Sequence, residues 1–326
     1  DVYCYGENSQ HALGLGHTFS CNLPIKHPYL SNIVDIDCGS YFGLALNSNG
    51  DVYSFGKHSH GAVGLGNYGE PDYYPDVTVP TLITEYHNIS NNIITPRPKI
   101  VKICTASFHS LFLDKNGEVY GCGNNGAGQL GFNRYLGEAR YNDEAINYPI
   151  LISKFYTYTN YNSSGSTATF NEISPKPKIV AISTAYNTTL FLDNLGALYG
   201  CGIASQRQNG MPYFSDSSKV VKSQYSELTD LIGISGNYTN SYFLSRNGIL
   251  YSCGGRNYGL LGDNSGNTSS YQEIPVQVNI LNSKIVNFSS FNSLLFVINI
   301  SIQDTVQYGS SPGKTLSGGG GSGGAI

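Results

Sequence analysis

The stretch "RNGILYSCGGRNYGLLGDN" (residues 246–264) joins an Asn-Gly turn, a short apolar run with tyrosine, and a glycine cluster that closes on Leu-Gly. The same order of features occurs at residues 48–67 and 115–133 and in a weaker form at 194–210, and residues 1–17 have its apolar run and glycine cluster. In each copy a glycine follows the apolar run and marks the repeat; these marker glycines are Gly6, Gly56, Gly123, Gly202 and Gly254. They are 50, 67, 79 and 52 residues apart. Periods of this length indicate a propeller or a similar repeat array.

Each copy predicts a set of short antiparallel strands. Residues 50–56, "GDVYSFG", have the alternation with a period of two that is typical of a β-strand. The glycines that follow, up to Gly66, exclude a helix, and "KIVKICTASFHSLFLD" at 99–114 adds two β-rich runs. The junction "LDKNGEVY" at 113–120 predicts a hairpin in which both the asparagine and the glycine adopt positive φ. The sequence therefore predicts an all-β fold, a β-propeller of four-stranded blades.

The combination of "NGxVYxxG", "GxxGQLG" and "KIVxI…HSLFL" resembles the regulator of chromosome condensation repeat. "GNNGAGQLG" at 123–131 and "FHSLFL" at 108–113 are close matches, and the resemblance extends over about residues 1–300. The tryptophan that usually precedes the marker glycine in this family is missing from every copy. His109 matches the family's histidine, and other copies hold Phe42, Thr188 and Asn240 at that position. The resemblance implies a β-propeller, often of seven blades.

Five repeat units are visible, and a degenerate sixth marker is Gly309 in "DTVQYGSS". We predict a single propeller over residues 1–308, followed by a flexible Gly/Ser-rich tail or linker at 309–326. Two alternatives remain for the blade number. Five or six blades close alone, or the chain is part of a seven-bladed propeller whose other blades lie outside this stretch.

Composition argues against a nucleic acid or a membrane as the partner. The chain has 18 Lys+Arg against 22 Asp+Glu, a net charge of −4 and no Lys/Arg cluster, which disfavours nucleic-acid binding. No run approaches the roughly 20 apolar residues that span a membrane. Three cysteines precede marker glycines where other copies have Tyr5 and Phe55, so we expect buried, reduced thiols: Cys122, Cys201 and Cys253. Such thiols favour a cytoplasmic or nuclear protein, although seven Asn-x-Ser/Thr sequons keep secretion open.

We expect no catalytic, cofactor or metal site. Gly313-Lys314-Thr315 is followed by a glycine run in place of the helix that a phosphate-binding loop needs. His58 and His60 form a pair with no second cluster of ligands, so a metal site is not expected. His109-Ser110 occupies a repeat position, and no nucleophile elbow frames a serine. The chain is therefore not expected to be an enzyme.

Two insertions depart from the repeat, one after Gly66 and one after Phe132, and both are rich in tyrosine. Tyrosine is enriched at protein interfaces. Equivalent segments of neighbouring blades emerge on the same face of a propeller, which predicts one continuous surface. We expect replacement of its tyrosines to weaken partner binding and leave the melting temperature nearly unchanged. The predicted contact residues are Tyr73, Tyr74, Tyr148, Tyr156 and Tyr158.

These features favour a non-catalytic scaffold that presents propeller loops to a protein partner. The resemblance implies an alternative, guanine-nucleotide exchange on a small GTPase, which the founding family member performs. A second alternative is a secreted propeller that inhibits an enzyme. Light sensing, found in a photoreceptor of the same fold, uses tryptophan, and this chain contains 0 Trp.

Overall fold

The computed structural model describes residues 1–66, 75–132, 145–160, 168–202, 208–211, 218–256, 259–264, 271–279, 283–291 and 294–301. Over these ranges the chain consists of strands and turns without an α-helix, which confirms the all-β prediction. None of the described segments is a helix long and apolar enough to span a membrane. The chain divides into two compact units, of which the first contains Asp1–Ser153 and the second Lys154–Gly320. Gly309 and the predicted boundary at 308–309 lie outside the described residues.

The first unit contains two four-stranded antiparallel blades and one pair of strands. In both blades, strands that are neighbours in sequence are neighbours in the sheet. The marker Gly6 lies on the first strand of the chain, so the pair corresponds to the third and fourth strands of a blade. The strands are β1 (Tyr3–Gly6), β2 (Cys21–Lys26), β3 (Ile33–Cys38), β4 (Phe42–Asn47), β5 (Val52–Gly56), β6 (Val77–Leu82), β7 (Ile100–Thr105), β8 (His109–Asp114), β9 (Val119–Asn124) and β10 (Ala145–Leu151).

The second unit contains one six-stranded sheet, one four-stranded blade and one pair of strands. The six-stranded sheet has the order β12-β11-β16-β15-β14-β13, and the blade has the order β17-β18-β19-β20. The pair β21–β22 has the register of the first two strands of a blade. The strands are β11 (Phe155–Thr159), β12 (Thr169–Glu172), β13 (Ile179–Ala185), β14 (Thr188–Asp193), β15 (Leu198–Gly202), β16 (Val220–Lys222), β17 (Leu231–Gly236), β18 (Asn240–Ser245), β19 (Leu250–Gly255), β20 (Tyr271–Gln277), β21 (Ser283–Phe291) and β22 (Leu294–Ser301).

The turn between the second and third strands is fixed by the side chain that ends the second strand. Asn47 Oδ1 accepts the backbone N–H groups of Asn49 and Asp51 at 2.9 and 3.0 Å. The same two contacts are made by Asp114 and Asp193. Gly50 has a φ of 78°, whereas Asn49 does not have positive φ. The hairpins are confirmed, but the prediction that both turn residues take positive φ is wrong, because the side-chain cap fixes a turn that needs one left-handed residue.

The marker glycines allow the third strand to end against the start of the second. All five have positive φ, between 91° and 118°. In the first unit, a Cβ on Gly123 would lie well inside 3.0 Å of the Phe108 carbonyl oxygen, and one on Gly56 would meet the Tyr41 oxygen in the same way. The approach is close because the residue after each marker, Asn124 or Lys57, donates its N–H to that oxygen at 2.8 Å. The repeat therefore requires glycine for its backbone angle and for its lack of a side chain.

The residue before a marker glycine packs under the glycine segment of the preceding repeat. A Cβ on Gly14 would lie 2.8 Å from the ring of Phe55, and one on Gly64 would lie 3.1 Å from Cys122 Sγ. Cys122 is fully buried. Successive blades thus fit together because the glycine segment leaves room for a phenylalanine or cysteine of the next blade.

Side-chain oxygens on the first strands also join neighbouring blades. In the second unit Ser183 Oγ accepts the N–H of Gly236 at 2.9 Å. In the first unit Asp37 occupies the corresponding position, and its Oδ2 accepts the N–H of Thr105 at 2.7 Å. Asp37 is only 5% exposed, and its burial raises the pKa of its carboxyl to about 7. The contact between the two blades of the first unit therefore depends on the buried carboxyl of Asp37, whereas the equivalent contact in the second unit uses the neutral hydroxyl of Ser183.

We predict that Cys122, Cys201 and Cys253 react with a polar maleimide at least about tenfold more slowly than Cys21 in the folded chain. The three thiols are 0–3% exposed, and burial raises the pKa of each, which lowers the fraction of reactive thiolate. Cys21 is partly exposed. Mass spectrometry of peptides from timed labelling measures the rates, and labelling in urea is the control in which the difference disappears. Equal rates in the folded chain would show that the assigned strand register is wrong.

Candidate functional site

Each long connection between blades begins with a buried aromatic anchor. In the first unit Tyr86 is 2% exposed and makes edge-to-face contacts with Phe112 at 5.9 Å and Tyr120 at 5.3 Å between ring centroids. In the second unit Phe155 is 1% exposed and meets Phe191 at 5.7 Å and Tyr199 at 5.4 Å in the same manner. Such aromatic pairs stabilise packing beyond the area they bury. The two connections differ in sequence but start from the same structural anchor.

After the anchor, the chain runs parallel to the fourth strand of the blade and then folds back. The backbone N–H of His87 donates to Pro149 O at 2.8 Å, and the backbone carbonyl of His87 accepts the N–H of Leu151 at 2.8 Å. His87 also forms an antiparallel β-bridge with Ile93 on the returning segment. In the second unit, β11 pairs parallel with β16 and antiparallel with β12. Both connections therefore add chain to the fourth-strand edge of a blade, and β12 is the outermost strand of its sheet.

The expectation that each insertion is a single loop is wrong. Residues of both predicted insertions form the fourth strands of blades, β6 and β10. Because the strands are antiparallel, the connection before a fourth strand and the connection after it leave opposite ends of the sheet. The sequence suggested a loop because both strands are short and each contains a proline, Pro80 or Pro149, which is uncommon inside a sheet.

Tyr148 lies on β10 and covers the end of a glycine segment. Its ring lies 4.5 Å from the His87 ring, and a Cβ on Gly66 would overlap it. Gly66 donates its N–H to Asn147 O at 2.9 Å. His87 Nε2 is 3.4 Å from a carboxylate oxygen of Glu85. Tyr148 is half-buried, so it has both a packing role and an exposed surface.

The predicted tyrosines of the second unit lie on the added strand β11. Tyr156 is half-buried and opposite Glu172 of β12. Glu172 also pairs with Lys154 at 3.1 Å on the surface. Tyr158, opposite Phe170, is 6% exposed and has little surface to offer a partner.

Tyr73 and Tyr74 lie outside the described residues. Of the other predicted contact residues, the structure leaves partly exposed surface on Tyr148 and Tyr156. Because Tyr158 is buried and Tyr148 packs against its neighbours, we no longer expect replacement of the whole set to leave the melting temperature unchanged.

His109 and His58 are buried inside the fold and remain uncharged. His109 is fully buried opposite the marker Gly123, and desolvation lowers its pKa to about 3. Desolvation likewise lowers the pKa of His58 to about 4, so both rings are neutral near pH 7. Within the part of the chain that the structure describes, no group of three or more His, Cys, Asp or Glu side chains could hold a metal ion.

Comparison with known proteins identifies the repeat. The family model described as the regulator of chromosome condensation (RCC1) repeat matches residues 1–46 and 49–113, and a second model of the same description matches 33–62 and 100–129. The human E3 ubiquitin-protein ligase HERC2 is 31% identical over 132 residues, which are 40% of this chain and 2% of that protein. A mouse RCC1-like G exchanging factor-like protein is 29% identical over 113 residues, 35% of this chain and 22% of that protein. The matched part is thus a small fraction of each relative.

The crystal structure of human WBSCR16 is similar in fold, with a TM-score of 0.67 at 17% identity, over 92% of this chain and 67% of that chain. This similarity concerns the fold, a β-propeller, and confirms the predicted fold class. The later blades have the same strand register and the same marker glycines as the blades in residues 1–129. Residues 1–129 therefore match the regulator of chromosome condensation repeat, and the chain has a β-propeller fold.

Proposed function

We propose that the chain is a non-catalytic protein-interaction module that binds a protein partner at the fourth-strand edges of its blades. The observation that carries the proposal is the pair β11–β12, which extends a complete blade by two strands. An outermost strand has one edge of backbone donors and acceptors to which an extended partner segment can add. Tyr156 is half-buried on β11, beside that strand, where a partner would cover the rest of its ring.

The relatives are consistent with such a module. In the human ligase the matched region is 2% of the protein, so repeats of this kind occur as one part of a much longer chain. A rigid scaffold with added edge segments fits a part that holds a partner, since binding residues concentrate on segments that a stable framework positions.

Affinity capture with single variants tests this proposal. Tyr156→Ala is expected to reduce retention of a partner by about thirtyfold if the ring is an interface hot spot, which corresponds to about 2 kcal/mol. Tyr148→Ala tests the corresponding edge in the first unit. Tyr3→Ala is the matched control because Tyr3 is 60% exposed on β1, a strand that belongs to neither edge segment. Quantitative mass spectrometry of captured proteins, with a melting temperature for each variant, measures the effect. A partner retained equally by all variants would exclude these edges.

Guanine-nucleotide exchange on a small GTPase is the second candidate. The name of the mouse relative, an exchanging factor-like protein, favours it. Release of labelled GDP from a panel of small GTPases tests it directly. Accelerated release that persists in Tyr156→Ala would assign exchange to another surface, whereas no acceleration with any GTPase would exclude this activity for the chain.

A further inference from the structure

The first strand of each blade carries an exposed aliphatic side chain at a bulge. In every first strand the register with the second strand shifts near its beginning, and one residue is left out of the pairing. An isolated exposed aliphatic residue is ordinary on a protein surface, but the same exposed position in five first strands indicates a surface with a use. These residues are 40–64% exposed and are Val34, Val101, Val180, Ile232 and Val286.

In the second unit these positions follow one continuous edge. Gly196, in the turn after β14, accepts the N–H of Leu231 at 3.0 Å, and Gly248, in the turn after β18, accepts the N–H of Ile285 at 3.0 Å. The turn of one blade therefore touches the beginning of the next first strand. We name the exposed side chains along this edge the strand-start rim: Lys178, Val180, Leu195, Ile232, Lys284 and Val286.

The strand-start rim is positively charged. Lys178 and Lys284 are exposed and directly precede the buried first-strand residues Ile179 and Ile285. In the adjacent turn, Arg246 forms an ion pair with Asp230 at 2.9 Å. Lys178, Arg246 and Lys284 against Asp230 and the buried Asp193 of the neighbouring turn leave an excess of one positive charge (3 − 2), whereas the whole chain has a net charge of −4. Cationic and aliphatic side chains therefore lie together on one edge of a protein that is acidic as a whole.

The apolar part of the rim extends to the tip of a turn. Leu195 is 81% exposed at a turn position where the other copies have asparagine. It precedes Gly196, whose carbonyl contacts the next first strand. In the first unit the exposed Val101 follows Lys99, whose side chain is 49% exposed and pairs with Asp51 at 3.2 Å. The aliphatic position thus recurs in the first unit, where the neighbouring lysine already has an anionic partner.

We infer that the strand-start rim binds an extended segment of a protein partner in which acidic and aliphatic side chains alternate. Its carboxylates would pair with Lys178 and Lys284, and its aliphatic side chains would cover Val180 and Ile232. This inference rests on the proposed function only in that the chain binds a protein partner, and it assigns a second surface, separate from the fourth-strand edges, and the chemistry of the segment bound there. A nucleic acid supplies negative charge but no aliphatic side chains to cover the valines, and a second copy would bring an equally positive rim against this one.

Fluorescence anisotropy with the full chain tests the inference. The probe is a short labelled peptide in which glutamate alternates with valine, and the control probe has lysine in place of glutamate. Lys178→Glu with Lys284→Glu, and separately Val180→Ser with Ile232→Ser, are expected to raise the Kd for the glutamate peptide by about tenfold or more. The matched control is Lys26→Glu with Lys57→Glu, which makes the same charge change at other sites and is expected to leave the Kd within about twofold.

Each outcome supports or overturns the inference. Preference for the glutamate peptide that both rim variants reduce supports it, and equal binding by all variants overturns it. Oligothymidine binding that depends on the lysines but not on Val180 and Ile232 would identify a site for polyanions instead. A concentration-dependent increase in mass that the rim variants abolish would identify a second copy. Partner capture that depends on Tyr156 but not on the rim would overturn this inference and leave the proposed function intact.

Discussion

Gly123→Ala is expected to lower the free energy of unfolding by about 4 kcal/mol, combining an unfavourable backbone angle with a steric overlap. Gly123 has a φ of 106°, which alanine adopts only at a cost. Its new methyl group would also overlap the Phe108 carbonyl and the His109 Cα, both of them backbone atoms. Backbone atoms cannot change rotamer as a flexible side chain does. The overlap is therefore relieved only if β9 moves away from the start of β8. Urea unfolding followed by tyrosine fluorescence measures the loss.

Gly6→Ala is the matched control for this change. Gly6 is the marker glycine of the first repeat and has a φ of 110°, but an added Cβ would meet no heavy atom within 4 Å. Alanine there bears only the backbone cost, for which we expect about 2 kcal/mol. Equal losses at the two positions would mean that the close approach to Phe108 contributes nothing. A loss below about 1 kcal/mol at Gly123 would contradict the role assigned to the marker glycines.

The repeat could be predicted from the sequence because its requirements are local. Gly123 has positive φ and lies against one carbonyl oxygen, and the same combination recurs at Gly56, Gly202 and Gly254. The hairpins were predictable for the same reason, since Asn-Gly or its equivalent lies within a few residues of both strands. The turn geometry was missed because the side chain of Asn47, before the turn, decides it.

The added edge strands could not be predicted because they depend on residues far apart in the sequence. Phe155 pairs with Val220 in a parallel arrangement, and no periodic pattern links the two segments. Tyr158 was expected to be an interface residue because it lies in a tyrosine-rich stretch, yet β12 and its neighbours bury it. In the sequence Tyr148 resembles an exposed loop residue, because its contacts with Gly66 and with the His87 ring join segments far apart in the chain.

The sequence also gives no sign that Asp37 differs from other surface aspartates. It lies in "IVDIDC" at 33–38, where alternation would place both aspartates on an exposed side. In the folded chain, Asp35 pairs with Lys102 at 3.0 Å, whereas Asp37 is buried between blades. Two N–H groups donate to Asp37, from Thr105 at 2.7 Å and from Cys38 at 2.9 Å. Burial outweighs these donors and raises the pKa of its carboxyl from 3.8 to about 7, with a smaller contribution from the charge of Asp35.

This raised pKa makes the folded state lose stability as the pH rises. Below pH 3.8 the carboxyl is protonated in both the folded and the unfolded chain and has no effect. Between pH 3.8 and about 7 the unfolded chain ionises first, so unfolding becomes progressively more favourable. At about 1.4 kcal/mol per pKa unit, the full loss is about 4 kcal/mol and is complete above about pH 7. The titratable groups that interact with the carboxyl include Asp35 and Cys38, and Asp35 is itself paired with Lys102.

Asp37→Asn is therefore expected to raise the free energy of unfolding by about 2 to 4 kcal/mol at pH 8. Asparagine keeps an oxygen that can accept the N–H of Thr105, but it has no charge to desolvate. The gain at pH 8 should exceed the gain at pH 5 by about 2 kcal/mol, because the wild-type carboxyl is still protonated in the folded chain at pH 5. Asp37→Ser places at this position the residue type that the second unit has at Ser183. This variant should also lose the pH dependence of the free energy of unfolding that Asp37 causes.

Asp230→Asn is the control for the removal of a carboxylate directly before a first strand, since the side chain of Asp230 is 53% exposed and pairs with Arg246. It should change the free energy of unfolding by less than about 1 kcal/mol at pH 5 and pH 8 alike. Urea unfolding of the wild type and the variants at pH 5 and pH 8 measures each free energy of unfolding. A gain in Asp37→Asn that is equal at the two pH values would mean that packing, and not the proton, explains it. A loss at pH 8 would mean that the ionised Asp37 stabilises the contact with Thr105 more than its burial opposes it.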